Sequence, residues 1–289
     1  MKKNILVIGG TGMIGRPVTR ALRQSPDFKV TIMARNMARA KAIFPGAHVV
    51  EGDVFDPLSL LAAFEGQDAI YISLGPSRNS RPNDRMPERE GIDNIISVAQ
   101  TTGIKRLALL SSLVQQYNGM NGFRWWIFDM KQEAVNKIRT CGIPYTIFYP
   151  SSFMENFDQL MMRGNRIMLA GESKALMYFI AGQDYGKQVA RSFSILTNEN
   201  KEYAVQGTEA YNWDNAAAIF IRHYTKKKLS PMKAPLGMLR FMGIFSASAQ
   251  YGAKILEALN NYPEKFESHN TWEELGKPEM TLAQYAAGC

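Results

Sequence analysis

The sequence predicts an α/β fold, a doubly wound parallel sheet with a smaller C-terminal region beside it. Two observations carry this prediction. Short aliphatic runs alternate with segments of helical spacing over roughly the first half of the chain, with short connections between them. In addition, a glycine cluster, GGTGMIG at residues 9–15, separates the first aliphatic run from the first helical segment. Both features are typical of parallel strands joined by crossover helices.

The composition is that of a globular protein. The 289 residues suffice for one large domain or two smaller ones, and 46% of them are hydrophobic. The net charge of +8 is spread along the chain, and Lys226–Lys228 is its densest basic cluster. No basic–aromatic repeat surrounds that cluster, so we interpret the charge as a basic surface and do not expect direct nucleic-acid binding.

Two distant thiols and the absence of a long apolar stretch indicate a cytoplasmic protein. Cys141 and Cys289 give neither a metal-ligand spacing nor a disulfide framework, and free thiols fit a reducing compartment. The first apolar run breaks at Gly9 and is too short for a signal peptide. The apolar stretch 241–253 is too short to span a bilayer. We therefore expect no metal and no membrane partner.

The first strand, turn and helix form the context that a dinucleotide fingerprint requires. Residues 5–8 (ILVI) suit a buried strand, and residues 13–24 have helical spacing. Glycines let the backbone turn sharply and approach a pyrophosphate, and the helix N-terminus favours phosphate. A tight turn alone is the alternative reading. The residues predicted to contact the cofactor here are Gly9, Thr11, Gly12, Met13, Ile14 and Gly15.

The second and third strands carry the predicted contacts to the adenosine half of the cofactor. Residues 28–34 read as a strand that ends before Arg35, where an NAD-preferring protein usually has an acid. A guanidinium binds a 2′-phosphate well, so Arg35 favours NADP(H), the alternative being a solvent-facing arginine. The third strand is predicted to end at Asp53 and Val54, where the carboxylate can accept from an adenine amine. Asp56 is expected to cap the next helix.

The fourth and fifth strands complete the predicted edge. Residues 68–75 form a strand that ends with Leu74 and Gly75, both predicted cofactor contacts, and an arginine-rich loop, residues 77–90, follows beside that edge. A helix over 91–102 leads to a fifth strand over residues 104–112 (IKRLALLSS), with Ser111 at its carboxyl end. The predicted contacts all fall at strand carboxyl ends, where ligands bind in such sheets.

The chain resembles the NmrA-like branch of the atypical short-chain dehydrogenase/reductase superfamily. Four segments carry the resemblance over roughly residues 1–220: GGTGMIGRPV, LLSS, the stretch DMKQEAVNKIRTCGIPYTIFYPSSFMENF, and YFIAGQDYGKQVA. The resemblance implies a Rossmann domain that binds NADP(H), over residues 1–155. Residues 156–289 would form the substrate side, with residues 200–224 packing back on the sheet.

The resemblance also assigns residues near the nicotinamide. It implies that Lys131 holds the ribose hydroxyls, a solvated helix lysine being the alternative. The segment expected to line the nicotinamide side contains Tyr149, Pro150, Ser151 and Phe153. For Tyr149 the alternative is a strand aromatic in the core.

One departure from the family pattern bears on the chemistry. Standard members place a proton-transferring tyrosine four residues before the lysine, and this chain has Ile127 there. Ser111 and its neighbour Ser112 either orient a substrate carbonyl or satisfy backbone groups. Tyr117, in the next loop, is a candidate replacement for the tyrosine. Three aromatics, Trp125, Trp126 and Phe128, either stack on a flat substrate or pack in the core.

The C-terminal part contains a Met-rich stretch, residues 235–262, in which Met238, Met242 and Phe245 share a helical face. We predict that this face belongs to the core. A pliable pocket wall is the second interpretation and a dimer contact the third. The tail is expected to form two short helices divided by Pro278.

We therefore expect an NADPH-dependent oxidoreductase acting on a small apolar acceptor: a quinone, an enone or an aromatic ketone. The alternative is a non-catalytic NADP(H) sensor that acts through a protein partner, which the missing tyrosine favours. A homodimer is also compatible with the sequence. A scaffold without a ligand is disfavoured by the intact glycines and by Arg35.

Overall fold

A computed structural model describes residues 2–195 and 198–289. The strands are β1 (Lys3–Ile8), β2 (Phe28–Ala34), β3 (His48–Glu51), β4 (Ala69–Ile72), β5 (Arg106–Leu110), β6 (Tyr145–Pro150), β7 (Met162–Arg163), β8 (Arg166–Ala170), β9 (Met177–Tyr178), β10 (Lys201–Val205), β11 (Ala210–Tyr211) and β12 (Ser230–Ala234). The helices are α1 (Gly15–Gln24), α2 (Met37–Ile43), α3 (Pro57–Phe64), α4 (Ile92–Thr102), α5 (Trp126–Thr140), α6 (Gly182–Ser194), α7 (Trp213–His223), α8 (Leu236–Gly243), α9 (Ala247–Asn261), α10 (His269–Leu275) and α11 (Leu282–Gly288). Short π-helical turns cover Pro87–Gly91 and Asn156–Met161.

Seven parallel strands form the central sheet in the order β3-β2-β1-β4-β5-β6-β10. The direction of winding reverses between β1 and β4, which creates a crevice at the carboxyl ends of these two strands. The prediction of a doubly wound parallel sheet is confirmed.

Helices cover both faces of this sheet. On one face, buried side chains of α3, α4 and α5 pack against the strands. On the other, α1 and α6 pack together, with Val18, Leu22, Tyr185, Val189 and Phe193 in one cluster. The helix α6 thus belongs to the sheet's covering layer, although it lies in the C-terminal half of the chain.

The C-terminal region has a core of its own. Phe157, Trp213 and Phe220 pack together there, and α7 and α11 contribute to the same cluster. The segment 200–224 is divided between the two regions: β10 extends the central sheet, whereas α7 packs on α11 and on the small sheet of β7, β8 and β12. None of the helices in 2–195 and 198–289 has the length and apolar character needed to cross a bilayer.

Two strands end earlier than their sequences suggest. We predicted that β3 would reach Asp53 and Val54, but it ends at Glu51. The Asp53 carboxylate accepts a hydrogen bond from the Phe55 N–H (3.0 Å), and this local turn replaces strand pairing. Similarly, β4 ends at Ile72, before Leu74 and Gly75. Asp56 caps α3 by accepting from the Leu58 N–H (3.1 Å), as predicted.

Candidate functional site

The glycine turn combines tight packing with an open edge. Gly9 has a positive φ of 79°, and a Cβ on it would overlap the carbonyl of Ser73, the residue that follows β4. A Cβ on Gly15 would overlap the Gly9 carbonyl. By contrast, the nearest described atom to a Cβ on Gly12 is the Gly9 oxygen at 3.3 Å. Packing therefore explains Gly9 and Gly15, whereas a Cβ on Gly12 would have only the Gly9 oxygen within 4 Å, which leaves room on its other sides for a ligand.

The start of α1 is suited to bind an anion. Its N-terminus has no side-chain cap and no acidic residue in the first turn. Within the described residues, the N–H groups of Thr11, Met13 and Ile14 have no hydrogen-bond partner. Arg16 adds a positive charge at this turn and donates from Nε to the Thr11 carbonyl (2.9 Å). Unpaired N–H groups at the positive end of a helix bind phosphates.

Arg35 lies directly after β2, at the same edge of the sheet. Its side chain is exposed and makes no hydrogen bond or ion pair with any residue in 2–195 and 198–289. Asp53 also lies at this edge, although one of its oxygens already accepts from Phe55. The Val54 side chain is buried in the core, and its carbonyl accepts from the Asn94 amide (2.9 Å).

A cavity of about 600 Å³ extends from this edge into the C-terminal region. Most of its surface is apolar. Among the predicted site residues it is lined by Met13, Leu74, Ser111, Lys131, Pro150, Ser151 and Phe153. The far wall is formed by α9, which contributes Tyr251, Ile255, Leu256 and Leu259. The cavity thus joins the glycine turn to the C-terminal region without interruption.

Two serines in the cavity wall are held by neighbouring side chains. The Ser111 hydroxyl accepts from the Gln115 amide (2.9 Å). The Ser151 hydroxyl donates to the Glu264 carboxylate (2.8 Å). Burial raises the pKa of Glu264, whereas the hydrogen bonds from Gln206 and Ser151 lower it.

Lys131 is paired with a carboxylate from the arginine-rich loop. Its ammonium lies 2.6 Å from Glu88 Oε1, and the Glu88 side chain is 5% exposed. The other oxygen, Glu88 Oε2, is buried without a partner among the described residues. The alternative of a solvated helix lysine is therefore wrong, and an unfilled acceptor lies beside Lys131.

Position 127 faces the cavity. Ile127 is buried and lines the cavity together with Trp125 and Phe128, which are in edge contact at 5.0 Å. Trp126 is partly buried and lies outside the lining. An apolar side chain thus occupies position 127, four residues before Lys131.

Tyr117 does not reach the cavity, so its prediction as the replacement tyrosine is corrected. Its ring is buried against Phe123, with centroids 5.0 Å apart. The short 3₁₀ helix Leu113–Tyr117 places the ring in the cluster that also contains Trp125 and Phe128, and Tyr117 itself is not among the residues that line the cavity. Contact with a substrate in the cavity is therefore excluded for this side chain in the described structure.

Tyr149 points away from the cavity, which corrects its prediction as a cofactor contact. Its hydroxyl donates to Glu202 (2.9 Å) and accepts from Arg139 (3.2 Å) in a separate polar cleft of about 460 Å³. Burial raises the pKa of Tyr149, and the Glu202 carboxylate raises it further. Successive residues of a strand face opposite sides, so Pro150 lines the cavity while Tyr149 does not.

Tyr251 is a cavity residue that the sequence analysis missed. The ring of this partly buried side chain meets Trp125 edge to face at 5.1 Å. Burial raises the pKa of Tyr251, Lys131 and Arg78 lower it, and Glu88 raises it. No sequence signal links Tyr251 to Lys131, because α9 approaches α5 only in the folded chain.

The Met-rich stretch separates into two helices with different environments. Met238, Met242 and Phe245 are 49%, 48% and 79% exposed, so the prediction that this face belongs to the core is wrong. The short α8 has no buried residue, because it packs mainly on α9. The pocket wall is formed by α9 instead.

Comparison with known proteins gives a family and several relatives. A family model described as NAD(P)H-binding matches residues 9–175, more than half of the chain. The photosystem II assembly factor Ycf39 of Synechocystis sp. is 25% identical and aligns over 86% of this chain and 75% of its own length. An NAD(P)H azoreductase from Xenophilus azovorans is 26% identical over 74% of this chain and 71% of its own length.

A solved structure has the same fold. The Citrobacter sp. triphenylmethane reductase complexed with NADP(H) superimposes with a TM-score of 0.75 at 20% identity. The alignment covers 98% of this chain and 99% of that chain. This similarity extends the fold match over the C-terminal region as well as the central sheet.

Proposed function

The chain belongs to the NAD(P)H-binding family, and from that premise we propose that it is an NADPH-dependent oxidoreductase that reduces a small, largely apolar acceptor. The observation that carries the proposal is the cavity of about 600 Å³, which runs from the glycine turn to α9 and is mostly apolar. Quinones, enones and aromatic ketones have the size and polarity that such a cavity favours.

The residues at the sheet edge fit a dinucleotide phosphate. Gly12 leaves space for the pyrophosphate, and the N–H groups of Thr11, Met13 and Ile14 are donors without partners among the described residues. Arg35 is exposed and has no hydrogen-bond or ion-pair partner in residues 2–195 and 198–289. Its guanidinium suits the 2′-phosphate of NADPH. When bound, NADPH supplies a hydride to the acceptor.

Some cavity residues can orient the acceptor, and the Lys131–Glu88 pair can bind the ribose of the cofactor. The Trp125 and Phe128 rings offer faces and edges on which a flat acceptor can stack. The Ser111 hydroxyl, held by Gln115, can orient an acceptor oxygen. The unfilled Glu88 Oε2 can accept a hydrogen bond from a ribose hydroxyl beside Lys131. The azoreductase relative supports the oxidoreductase class.

Nucleotide titration followed by an acceptor panel tests this function. NADPH and NADH are titrated into the protein while the quenching of tryptophan fluorescence is followed, since Trp125 lines the cavity. Quinones, enones and aromatic ketones are then added, and NADPH oxidation is recorded at 340 nm. We expect tighter binding of NADPH than of NADH and oxidation with at least one acceptor class. No binding of either nucleotide would contradict the whole proposal.

A regulator that senses NADP(H) through a protein partner is the second candidate. Two observations favour it: a relative named as an assembly factor, Ycf39, aligns over 86% of the chain, and α8 with the turn after it exposes Phe241, Ile244 and Phe245. Exposed apolar surface of this kind is typical of protein contacts. Tight NADPH binding without oxidation of any acceptor would favour this candidate over the reductase.

A further inference from the structure

We propose that Tyr251 donates the proton that accompanies hydride transfer, in place of the tyrosine that is missing at position 127. The inference rests on the proposed reductase function and names a proton donor for it. The donor comes from α9 in the C-terminal region, whereas the residue it replaces would have come from α5.

The first argument is the position of Tyr251 in the cavity. Tyr251, Lys131 and Ile127 line the same cavity, and Trp125 supports the tyrosine ring edge to face at 5.1 Å. Among the described residues, Tyr251 is the only tyrosine in this lining. The protein therefore presents a phenol from α9 to the same cavity that Ile127 and Lys131 of α5 line.

The second argument is that the Tyr251 hydroxyl is uncommitted. It makes no hydrogen bond with any residue in 2–195 and 198–289, whereas other tyrosines near the site have partners. Tyr149 donates to Glu202 at 2.9 Å, and Tyr262 donates to Gln116 at 3.1 Å. A phenol that is partly buried and unpartnered is available to donate to an acceptor oxygen.

The third argument is the set of charges that face this phenol. Burial raises its pKa, so the hydroxyl keeps its proton at neutral pH. Lys131 from α5 and Arg78 from the arginine-rich loop lower the pKa, and Glu88 from the π-helical turn raises it. The two cations stabilise the phenolate that is left after donation, which is the electrostatic function the family lysine has toward its tyrosine.

The proposed step balances in atoms and charge. The acceptor gains a hydride with its two electrons from NADPH, which is oxidised. As the acceptor oxygen becomes negative, the Tyr251 O–H bond breaks and the proton forms the new O–H bond of the product. The Tyr251 phenolate, held beside Lys131, recovers a proton from water. A quinone thus leaves as a hydroquinone and a ketone as an alcohol.

Removal of the hydroxyl tests the role kinetically. Tyr251→Phe keeps the ring that packs on Trp125 and removes the donor. We expect kcat with an aromatic ketone or enone to fall by roughly 10²–10⁴-fold, the usual worth of a general acid, with unchanged NADPH affinity. The loss with a quinone should be smaller, because its reduced oxygen is less basic. A purely structural defect would lower kcat by the same factor with the ketone or enone and with the quinone.

Tyr262→Phe is the matched control. It makes the same substitution next to the end of the same helix, but this hydroxyl is already bonded to Gln116 and does not line the cavity. We expect its kcat to equal that of the wild type with both acceptors. Equal losses in the two variants would overturn the proposal.

A second readout does not depend on turnover. Cofactor-free protein is labelled with ¹³Cζ-tyrosine for NMR. The resonance that disappears in Tyr251→Phe is assigned to Tyr251, and its chemical shift as a function of pH gives the pKa of the phenol. Lys131→Met should raise the pKa of Tyr251, because a cation that favours the phenolate is removed. Glu88→Gln should lower it. A Tyr251 pKa that stays unchanged in both variants would contradict the proposed coupling of Tyr251 to Lys131 and Glu88.

The two proposals fail in distinguishable ways. If the wild type oxidises NADPH and Tyr251→Phe does so equally well with every acceptor, the role of Tyr251 is wrong and the reductase function stands. If the wild type fails to oxidise NADPH with every acceptor tested, both proposals are overturned.

Discussion

The Lys131 ammonium lies 2.6 Å from Glu88 Oε1, and this ion pair ties α5 to the arginine-rich loop. From its place in the sequence, that loop is expected to lie beside the cofactor edge. The pair fixes one end of it, within the π-helical turn Pro87–Gly91, against the wall of the cavity. A loop residue thereby determines the electrostatic environment of the lysine.

Breaking this pair should cost stability. Lys131→Met leaves the buried Glu88 carboxylate without its partner, and we expect a loss of about 3 kcal/mol in the free energy of unfolding. The control is Lys137→Met, because Lys137 pairs with the exposed Asp93 and Glu133 and should lose less than about 1 kcal/mol. Urea unfolding measures both. The double variant Glu88→Gln/Lys131→Met should recover much of the loss, and no recovery would contradict the pairing argument.

Arg35 should decide the preference between the two nucleotides. Arg35→Ala removes an exposed guanidinium without a partner in the described chain, so the fold should be unaffected. The loss of a charge-assisted contact worth about 1.5–3 kcal/mol raises the Kd for NADPH by roughly 10–150-fold, with little change in the Kd for NADH. Fluorescence titration measures both affinities. Arg20→Ala, an exposed site on α1, is the control; equal NADPH affinity in Arg35→Ala and wild type would refute the assignment.

The glycines of the turn should separate into two classes. Gly15→Ala places a Cβ against the Gly9 carbonyl and should lower Tm, because backbone must move. Gly12→Ala meets that oxygen at 3.3 Å and should keep Tm nearly unchanged while it weakens nucleotide binding. Thermal unfolding and nucleotide titration of both variants test this. A Gly12→Ala protein that binds NADPH normally would mean that the turn is structural only.

Glu155 should make stability depend on pH. Burial raises its pKa from 4.5 to about 7, and Asp158 and Asp184 also raise it. The folded state therefore holds this proton more tightly than the unfolded state. The contribution of the proton is fully present below pH 4.5 and is lost as pH rises through about 7. Over this whole pH range the contribution of the proton to the free energy of unfolding falls by about 3 kcal/mol.

Glu155→Gln tests this directly, because the amide oxygen can still accept from the Gly182 N–H, which lies 2.8 Å from Glu155 Oε1. Between pH 5 and pH 8 the variant should lose less stability than the wild type in urea unfolding. Glu133→Gln, at an exposed position on α5, should keep the wild-type dependence. Parallel pH profiles for wild type and Glu155→Gln would show that burial of this carboxyl does not matter.

Much of the fold could be predicted because its signals are local. Residues 28–34 form a strand with the predicted bounds, and the Asp56 cap follows from three adjacent residues. The cavity wall could not be predicted in the same way. Tyr149 and Pro150 are neighbours in β6, yet one faces a polar cleft and the other the cavity. Only the position of β6 between the layers that cover the sheet decides which of these two side chains faces the cavity.

The sequence by itself determined the order of strands and helices, the glycine turn and the arginine after β2. These depend on hydrophobic periodicity and on backbone conformations set within a few residues. The tertiary structure decided which side chains meet in the cavity. Glu88 reaches Lys131 across 43 positions, and Tyr251 comes to the same cavity from a helix in the C-terminal region. Contacts over such separations depend on how whole layers pack, and no local pattern records them.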